Sequence, residues 1–284
     1  VPRKNADILC NQREALTMAR LKVDGEKSIY FEDLGSGDKA LILIHGWGMS
    51  GRSWDGVLIP LLDAGLRVIT IDHRGCGRSD HDFADLSIDA IAGDVVSLVD
   101  SLALKTVYLN GWSLGGAVAT RAAHSLGARC AALILTAGAS PIYTQKPDLA
   151  LGGNAEDVAG IVQAMNADRV TFLAGLAHAV TAKPVSDALL TWMGDTFIGS
   201  AARASATLGE LAHLDQRDIM AELDIPILSY ICGQDGFVAP EISRWVAENH
   251  PRAEGVEFPE SGHAPFIEER EAYLENLIRF VASN

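Results

Sequence analysis

Gly111-Trp112-Ser113-Leu114-Gly115-Gly116 decides how this chain is read. The run Thr106-Val-Tyr-Leu109 before it reads as a strand, and an Ala-rich helical run starts near Leu114. A serine in the pattern G-x-S-x-G at a strand–turn–helix junction sits on a sharp, strained turn, with its Oγ above the strand ends. Glycine is required on both sides, at Gly111 and Gly115, because a Cβ there would collide across the turn. The helix that follows brings the positive end of its dipole beneath the serine. Its Leu114 N–H is placed to receive a developing oxyanion.

Working outward, short apolar runs alternate with helical stretches. Ala40-Leu-Ile-Leu-Ile44 is continuously apolar, as in a strand buried on both faces. Arg67-Val-Ile-Thr-Ile71, Ala131-Ala-Leu-Ile-Leu135 and Ile227-Leu-Ser-Tyr-Ile231 share that character. Between strands, Ile88, Ile91, Val95, Leu98 and Leu102 form one stripe of an amphipathic helix, with Ser87 as its N-cap. Such alternation predicts an α/β fold with a mostly parallel sheet covered on both faces. The pattern breaks between about Ser140 and Leu214, a stretch rich in Ala and Leu without a convincing strand. We therefore expect a core from 1–139 and 215–284 and a helical lid, or cap, inserted at 140–214. Tyr143, Met165, Phe172, Trp192, Met193 and Phe197 lie in that insertion and either face a pocket or form its own small core.

The nucleophile needs a base, and the base an orienting acid. Gly262-His263-Ala264-Pro265-Phe266 follows a short strand, Val256-Glu-Phe258, and offers His263 on a glycine-flanked loop. Gly233-Gln234-Asp235-Gly236 follows the strand ending at Ile231 and offers Asp235. The order Ser113, Asp235, His263 is the hydrolase order rather than that of the other serine triads. His45 opens the loop after the first buried strand and reads as structural. His73, His81, His124, His178, His213 and His250 read as surface or hydrogen-bonded structural residues, although His178 and His213 lie on the insertion, where substrate would pass. In the loop His45-Gly46-Trp47-Gly48-Met49-Ser50, Gly46 allows close backbone approach and the Trp47 N–H is the second expected oxyanion donor. Asp72-His73-Arg74-Gly75-Cys76-Gly77-Arg78-Ser79-Asp80 is glycine-rich with arginines, but lacks a following GK[ST]; it reads as a turn tying neighbouring loops together.

Composition narrows the partners. The 284 residues are 48% hydrophobic and 21% charged, globular proportions for a chain that buries a full core. With 23 Lys+Arg against 37 Asp+Glu the net charge is −14, which disfavours nucleic acid and anionic membrane surfaces and suits a neutral substrate. Cys10, Cys76, Cys130 and Cys232 form no CxxC pair and no zinc-like spacing with histidine, so neither a metal nor a disulfide framework is expected. Cys130 and Cys232 read as small core residues. No apolar run reaches transmembrane length, and Val1-Pro-Arg-Lys-Asn-Ala-Asp7 has no signal-peptide core. The expected setting is the reducing cytoplasm.

The chain resembles the α/β-hydrolase family from about Leu21 to Phe280. The resemblance rests on His45-Gly46-Trp47, the Asp72–Ser79 turn, Gly111–Gly116, Gly233–Asp235 and Gly262–Phe266, all in order. It implies an eight-stranded, mostly parallel sheet, a helical lid after the sixth strand, and no cofactor. In motif texture the chain looks closest to small esterases, enol-lactonases and cofactor-free haloperoxidase-like perhydrolases. Gly48, where perhydrolase-like members commonly carry proline, weighs against that last group. Ser113 in place of aspartate weighs against haloalkane dehalogenases and epoxide hydrolases. The leading expectation is a serine hydrolase acting on a small hydrophobic ester or lactone, aromatic or macrocyclic, with Gly46, Trp112, Trp192, Met193 and Phe237 touching substrate. The rivals are perhydrolysis or C–C bond hydrolysis on the same triad, and a hydrolase-like receptor that captures a ligand without turnover. Whether the chain forms a homodimer stays open.

Overall fold

The computed structural model describes residues 17–284. Cys10 and the stretch Val1–Asp7 lie outside the described residues. The elements are β1 (Thr17–Asp24), β2 (Lys27–Leu34), β3 (Ala40–Ile44), α1 (Asp55–Asp63), β4 (Arg67–Asp72), α2 (Ile88–Ser101), β5 (Val107–Trp112), α3 (Leu114–Leu126), β6 (Cys130–Thr136), α4 (Ala155–Ala167), α5 (Arg169–Ala179), α6 (Asp187–Gly199), α7 (Ser205–Glu210), α8 (Arg217–Glu222), β7 (Ile227–Cys232), α9 (Pro240–Asn249), β8 (Ala253–Phe258), α10 (Pro265–Glu268) and α11 (Arg270–Ser283). The eight strands form one sheet in the order β1-β2-β4-β3-β5-β6-β7-β8. β2 pairs antiparallel with β1 and with β4, and every other pairing is parallel.

Strands β3, β5 and β7 are buried at every position, so both faces of the sheet are covered there. This is why they read as unbroken apolar runs rather than as alternating ones. Helix α1 packs against α11, while α3 packs against α2 and α8. The α2 stripe faces inward, with Ile91, Val95 and Leu98 buried, and Ser87 Oγ accepts the Ala90 N–H at 3.1 Å to cap the helix. Cys130 and Cys232 are buried thiols, as is Cys76.

Register brings the loops together. Ile44 of β3 lies level with Ile71 of β4 and Gly111 of β5, and Trp112 lies level with Thr136 of β6. The loops leaving β3, β4, β5 and β6 therefore emerge at one edge, the carboxyl ends of the strands, where ligands bind in open α/β sheets. The Asp72–Asp80 turn is tied down there. Asp72 accepts the N–H groups of Gly51 (2.6 Å) and Arg78 (2.7 Å), and Arg74 forms a buried two-point pair with Asp94 (2.6 and 2.7 Å). Its arginines pair with carboxylates of the protein, Arg74 with buried Asp94 and exposed Arg78 with Glu32. Between β6 and β7 the described chain contains helices and isolated bridges but no strand.

Candidate active site

The turn after β5 places Ser113 in a conformation few side chains adopt. Its φ is 57° and its ψ −126°. Such a geometry is strained for a residue with a Cβ and persists only when its surroundings over-determine it. Here the Ser113 N–H donates to the Thr136 carbonyl (3.1 Å), and the Ser113 carbonyl accepts from Gly116 (2.8 Å) and Ala139 (2.8 Å). The flanking glycines are obligatory: a Cβ on Gly111 would stand 2.2 Å from the Gly115 carbonyl oxygen, and one on Gly115 would stand 2.4 Å from that of Ile44.

Asp235 and His263 meet from two different loops. His263 Nδ1 lies 2.8 Å from Asp235 Oδ2, and the two side chains are 5% and 1% exposed. The other carboxylate oxygen, Oδ1, accepts the N–H groups of Phe237 (2.8 Å) and Val238 (3.1 Å). Asp235 is thereby locked by its own turn before it reaches the imidazole. The imidazole ring is wedged between the ring of Phe237, at 4.9 Å, and that of Trp112, at 5.5 Å. Trp112 Nε1–H also donates to the His263 carbonyl at 2.7 Å. The N–H of His263 donates to the Val180 carbonyl at 2.8 Å, and a Cβ on Gly262 would stand 2.6 Å from the Ala182 nitrogen. Glu268 Oε1 accepts the N–H groups of Ala182 and Lys183, both at 2.8 Å. The histidine loop is thus clamped to the segment that joins α5 to α6. In unliganded sites the hydrogen bond from nucleophile to base is often long and tightens when substrate arrives.

Ser113 and His263 share the wall of one enclosed cavity of about 100 Å³. Gly46, Trp47, Trp112, Leu114 and Phe237 line it too. Gly46 is held close: a Cβ there would come within 3.1 Å of Ser113 Cβ and 3.3 Å of the Trp112 ring. Among the described residues, neither the Trp47 N–H nor the Leu114 N–H donates to a backbone acceptor. Trp47 itself is anchored, its Nε1–H donating to the Ala204 carbonyl at 2.8 Å.

The rest of the wall comes from the helices between β6 and β7. Tyr143, Phe172 and Phe197 are there as candidate pocket residues, joined by aliphatic residues that sequence reasoning did not single out: Ile161, Leu176, Val180, Leu208 and Leu211. Trp192 and Met193 are not. Met193 is fully buried in the core, as is Met165. Trp192 faces a separate groove with Leu189, Phe266 and Arg270. The reason is helical geometry. Met193 and Phe197 share a face at i, i+4, and Trp192 is turned about 100° away from Met193 around α6. His178 and His213 are exposed and border shallow depressions outside the cavity.

His45 and His73 stack at 3.8 Å between ring centroids, and both are buried. His45 Nδ1 lies 2.7 Å from the Gly46 carbonyl oxygen, and Nε2 accepts the His73 N–H at 3.0 Å. That pattern fits a neutral His45 with its proton on Nδ1. It fixes the start of the Gly46–Trp47 loop. His73 Nε2 is buried with no hydrogen-bond partner among the described residues, so His73 is neither the surface residue nor the hydrogen-bonded one expected. Burial holds both imidazoles below the ordinary histidine range, His73 well below it, with Asp72 opposing the shift at His45. Among the described residues there is no cluster of three or more His, Cys, Asp or Glu fit to hold a metal, and no helix long and apolar enough to cross a membrane.

Comparisons with known proteins agree with this arrangement. The family model described as "Alpha/beta hydrolase family" matches residues 41–276. The "AB hydrolase superfamily protein YisY" of Bacillus subtilis is 30% identical over 263 residues, 92% of this chain and 97% of that protein. A "Pimeloyl-[acyl-carrier protein] methyl ester esterase" of Sodalis glossinidius is 30% identical over 260 residues, 89% of this chain and 97% of that protein. Among solved structures, an esterase from Exiguobacterium antarcticum superposes with a TM-score of 0.89 at 26% identity, covering 94% of this chain and 100% of its own. With the strand order, the serine turn and these matches together, the chain belongs to the alpha/beta hydrolase family.

Proposed function

We propose that this protein is a serine hydrolase that cleaves small carboxylic esters, lactones included, through an acyl-enzyme on Ser113. One observation carries the reading. A buried carboxylate, Asp235, holds the Nδ1 side of His263 at 2.8 Å, which leaves Nε2 for Ser113 on the wall of the same cavity. The esterase names of the relatives support the ester as the bond cleaved.

Ser113 Oγ attacks the carbonyl carbon while His263 Nε2 takes its proton. Asp235 accepts from Nδ1 and stabilises the imidazolium that forms. The N–H groups of Trp47 and Leu114, without a backbone acceptor among the described residues and on the same cavity wall as Ser113, donate to the tetrahedral oxyanion. Nε2–H then protonates the departing alkoxide, leaving the acyl group on Oγ. Water attacks that ester, gives a proton to Nε2, and the acid departs as Oγ regains the proton.

The cavity argues for size. By a comparable volume measure, a cavity of about 150 Å³ takes one benzene ring. A space of about 100 Å³ suits a short acyl chain. In this reading the helices of 140–214 act as the lid, with half-exposed Ile161 at the cavity mouth.

The test is Ser113→Ala. Turnover of p-nitrophenyl esters should fall by about 10⁴-fold or more, with the fold intact. Labelling by a fluorophosphonate should vanish with it. Retention of more than about a tenth of wild-type turnover would remove Ser113 as the nucleophile.

A further inference from the structure

Once the catalytic serine and histidine are set aside, the side chains lining the cavity offer little that is polar. Both indoles on its wall have spent their N–H groups, Trp47 on the Ala204 carbonyl and Trp112 on that of His263. Phe172, Leu176, Phe197 and Leu211 carry no polar atom. Tyr143 is the exception: its ring lines the cavity, and its hydroxyl has no hydrogen-bond partner among the described residues.

Tyr143 is also held in place. Ile142 bridges to Asp215, and Thr144 Oγ1 donates to the Ala212 carbonyl at 2.8 Å. The Tyr143 carbonyl packs against Gly152, whose φ is +86° and where a Cβ would stand 2.3 Å from the Tyr143 oxygen. The backbone is fixed on both sides, which sets the point beside the cavity from which the ring leaves the chain. Tyr143 is only partly buried, and its hydroxyl is free to donate to an acceptor that enters the cavity. Burial, with the Asp235 carboxylate second, raises its pKa to about 12, so it stays a donor across the working range of a histidine base. No cationic side chain lines the cavity, and Asp235 lies close by, so an anionic acceptor has no countercharge there.

We propose that Tyr143 is a specificity-determining residue whose hydroxyl donates to a second, neutral oxygen on the substrate, so that the site prefers short esters bearing a keto or ether oxygen over their all-carbon isosteres. This rests on the reading of Ser113 as an esterase nucleophile and narrows its substrate class.

The experiment compares wild type with Tyr143→Phe on matched pairs: p-nitrophenyl methoxyacetate against butanoate, and p-nitrophenyl 4-oxopentanoate against 4-methylpentanoate. Taking the ratio of variant to wild type cancels the intrinsic reactivity of each ester. The expected result is a fall of about tenfold in kcat/KM on an oxygenated ester, with its isostere within about twofold. Melting temperature and fluorophosphonate labelling should be unchanged, because the hydroxyl supports no protein contact. Equal effects on both members of each pair, including no effect on either, would overturn the assignment. Ser113→Ala run beside it separates the two levels. If that variant is dead and Tyr143→Phe is unselective, only the role of Tyr143 falls; if that variant turns over substrate, both fall.

Discussion

Replacing Asp235 by asparagine tests how the carboxylate's two oxygens divide their work. Oδ1 accepts two backbone N–H groups, at 2.8 and 3.1 Å, and Oδ2 accepts from His263 Nδ1. An asparagine has one oxygen for these two tasks. If the amide oxygen stays with Phe237 and Val238, the NH2 group faces the imidazole. Nδ1 must then be the unprotonated nitrogen and Nε2 the protonated one, and Nε2 can no longer take a proton from Ser113. Flipping the amide restores the tautomer but turns NH2 against two N–H donors. That loses two hydrogen bonds worth about 1 kcal/mol each and leaves the donors unsatisfied, for a total of about 4 to 5 kcal/mol. At about 1.4 kcal/mol per factor of ten, only about one molecule in 10³ to 10⁴ holds the productive tautomer. The asparagine variant should therefore lose about 10³- to 10⁴-fold in kcat on p-nitrophenyl acetate. Its melting temperature should stay near wild type, because the favoured rotamer keeps the turn. Activity within tenfold of wild type would refute this reasoning and show that another group orients His263.

Two further outcomes follow from residues outside the triad. Trp192→Ala should lower stability by about 1 to 3 kcal/mol, less than a fully buried tryptophan would cost, and should reduce turnover of short and bulky esters equally; selective loss on the bulky ester would place Trp192 in the substrate path. His45 and His73 are held neutral by burial, so the unfolded chain takes up more protons than the folded one below its ordinary histidine pKa of about 6.5. Their contribution to stability is complete above that pH and is lost as pH falls, by about 1.4 kcal/mol per pH unit for each ring until its folded pKa is reached. Urea midpoints taken between pH 7.5 and 5 should fall less steeply in His73→Phe, and an unchanged slope would show that His73 does not titrate with unfolding.

Much of this architecture is legible in the residues, for reasons that also explain what is not. Ala40–Ile44 announces a doubly covered strand because nothing in it tolerates water. The strand that ends in Trp112 is harder to bound, since Asn110 reads as a break. In the fold its polarity is absorbed, with Nδ2 donating to the Tyr273 hydroxyl at 2.7 Å and Oδ1 accepting from Thr136 at 2.8 Å. The hairpin of β1 and β2 carries only the turn signal Asp24-Gly25 between strands whose sequences mix apolar and charged residues. For the proposed site, Ser113, Asp235 and His263 stand out because the chemistry proposed for them demands local backbone signatures, glycines and strand ends. The cavity wall has no such signature. An isoleucine at 161 is the same residue whether it meets substrate or core; only the i, i+4 spacing of Phe172 and Leu176 on α5, continued by its C-cap Val180, marks a shared face.

The clamp between the histidine loop and the segment after α5 bears on modularity. The main-chain N–H of His263 ends on Val180, and Glu268 binds the two residues that follow the loop's closest approach. The inserted helices are therefore not a detachable accessory. A chimera that takes them from a relative must also take partners for Gly262 and Glu268, or it will inherit a new pocket together with a displaced base. Under the proposed mechanism, specificity and reactivity are mechanically linked in this chain, and an engineer or an evolving lineage that changes one moves the other.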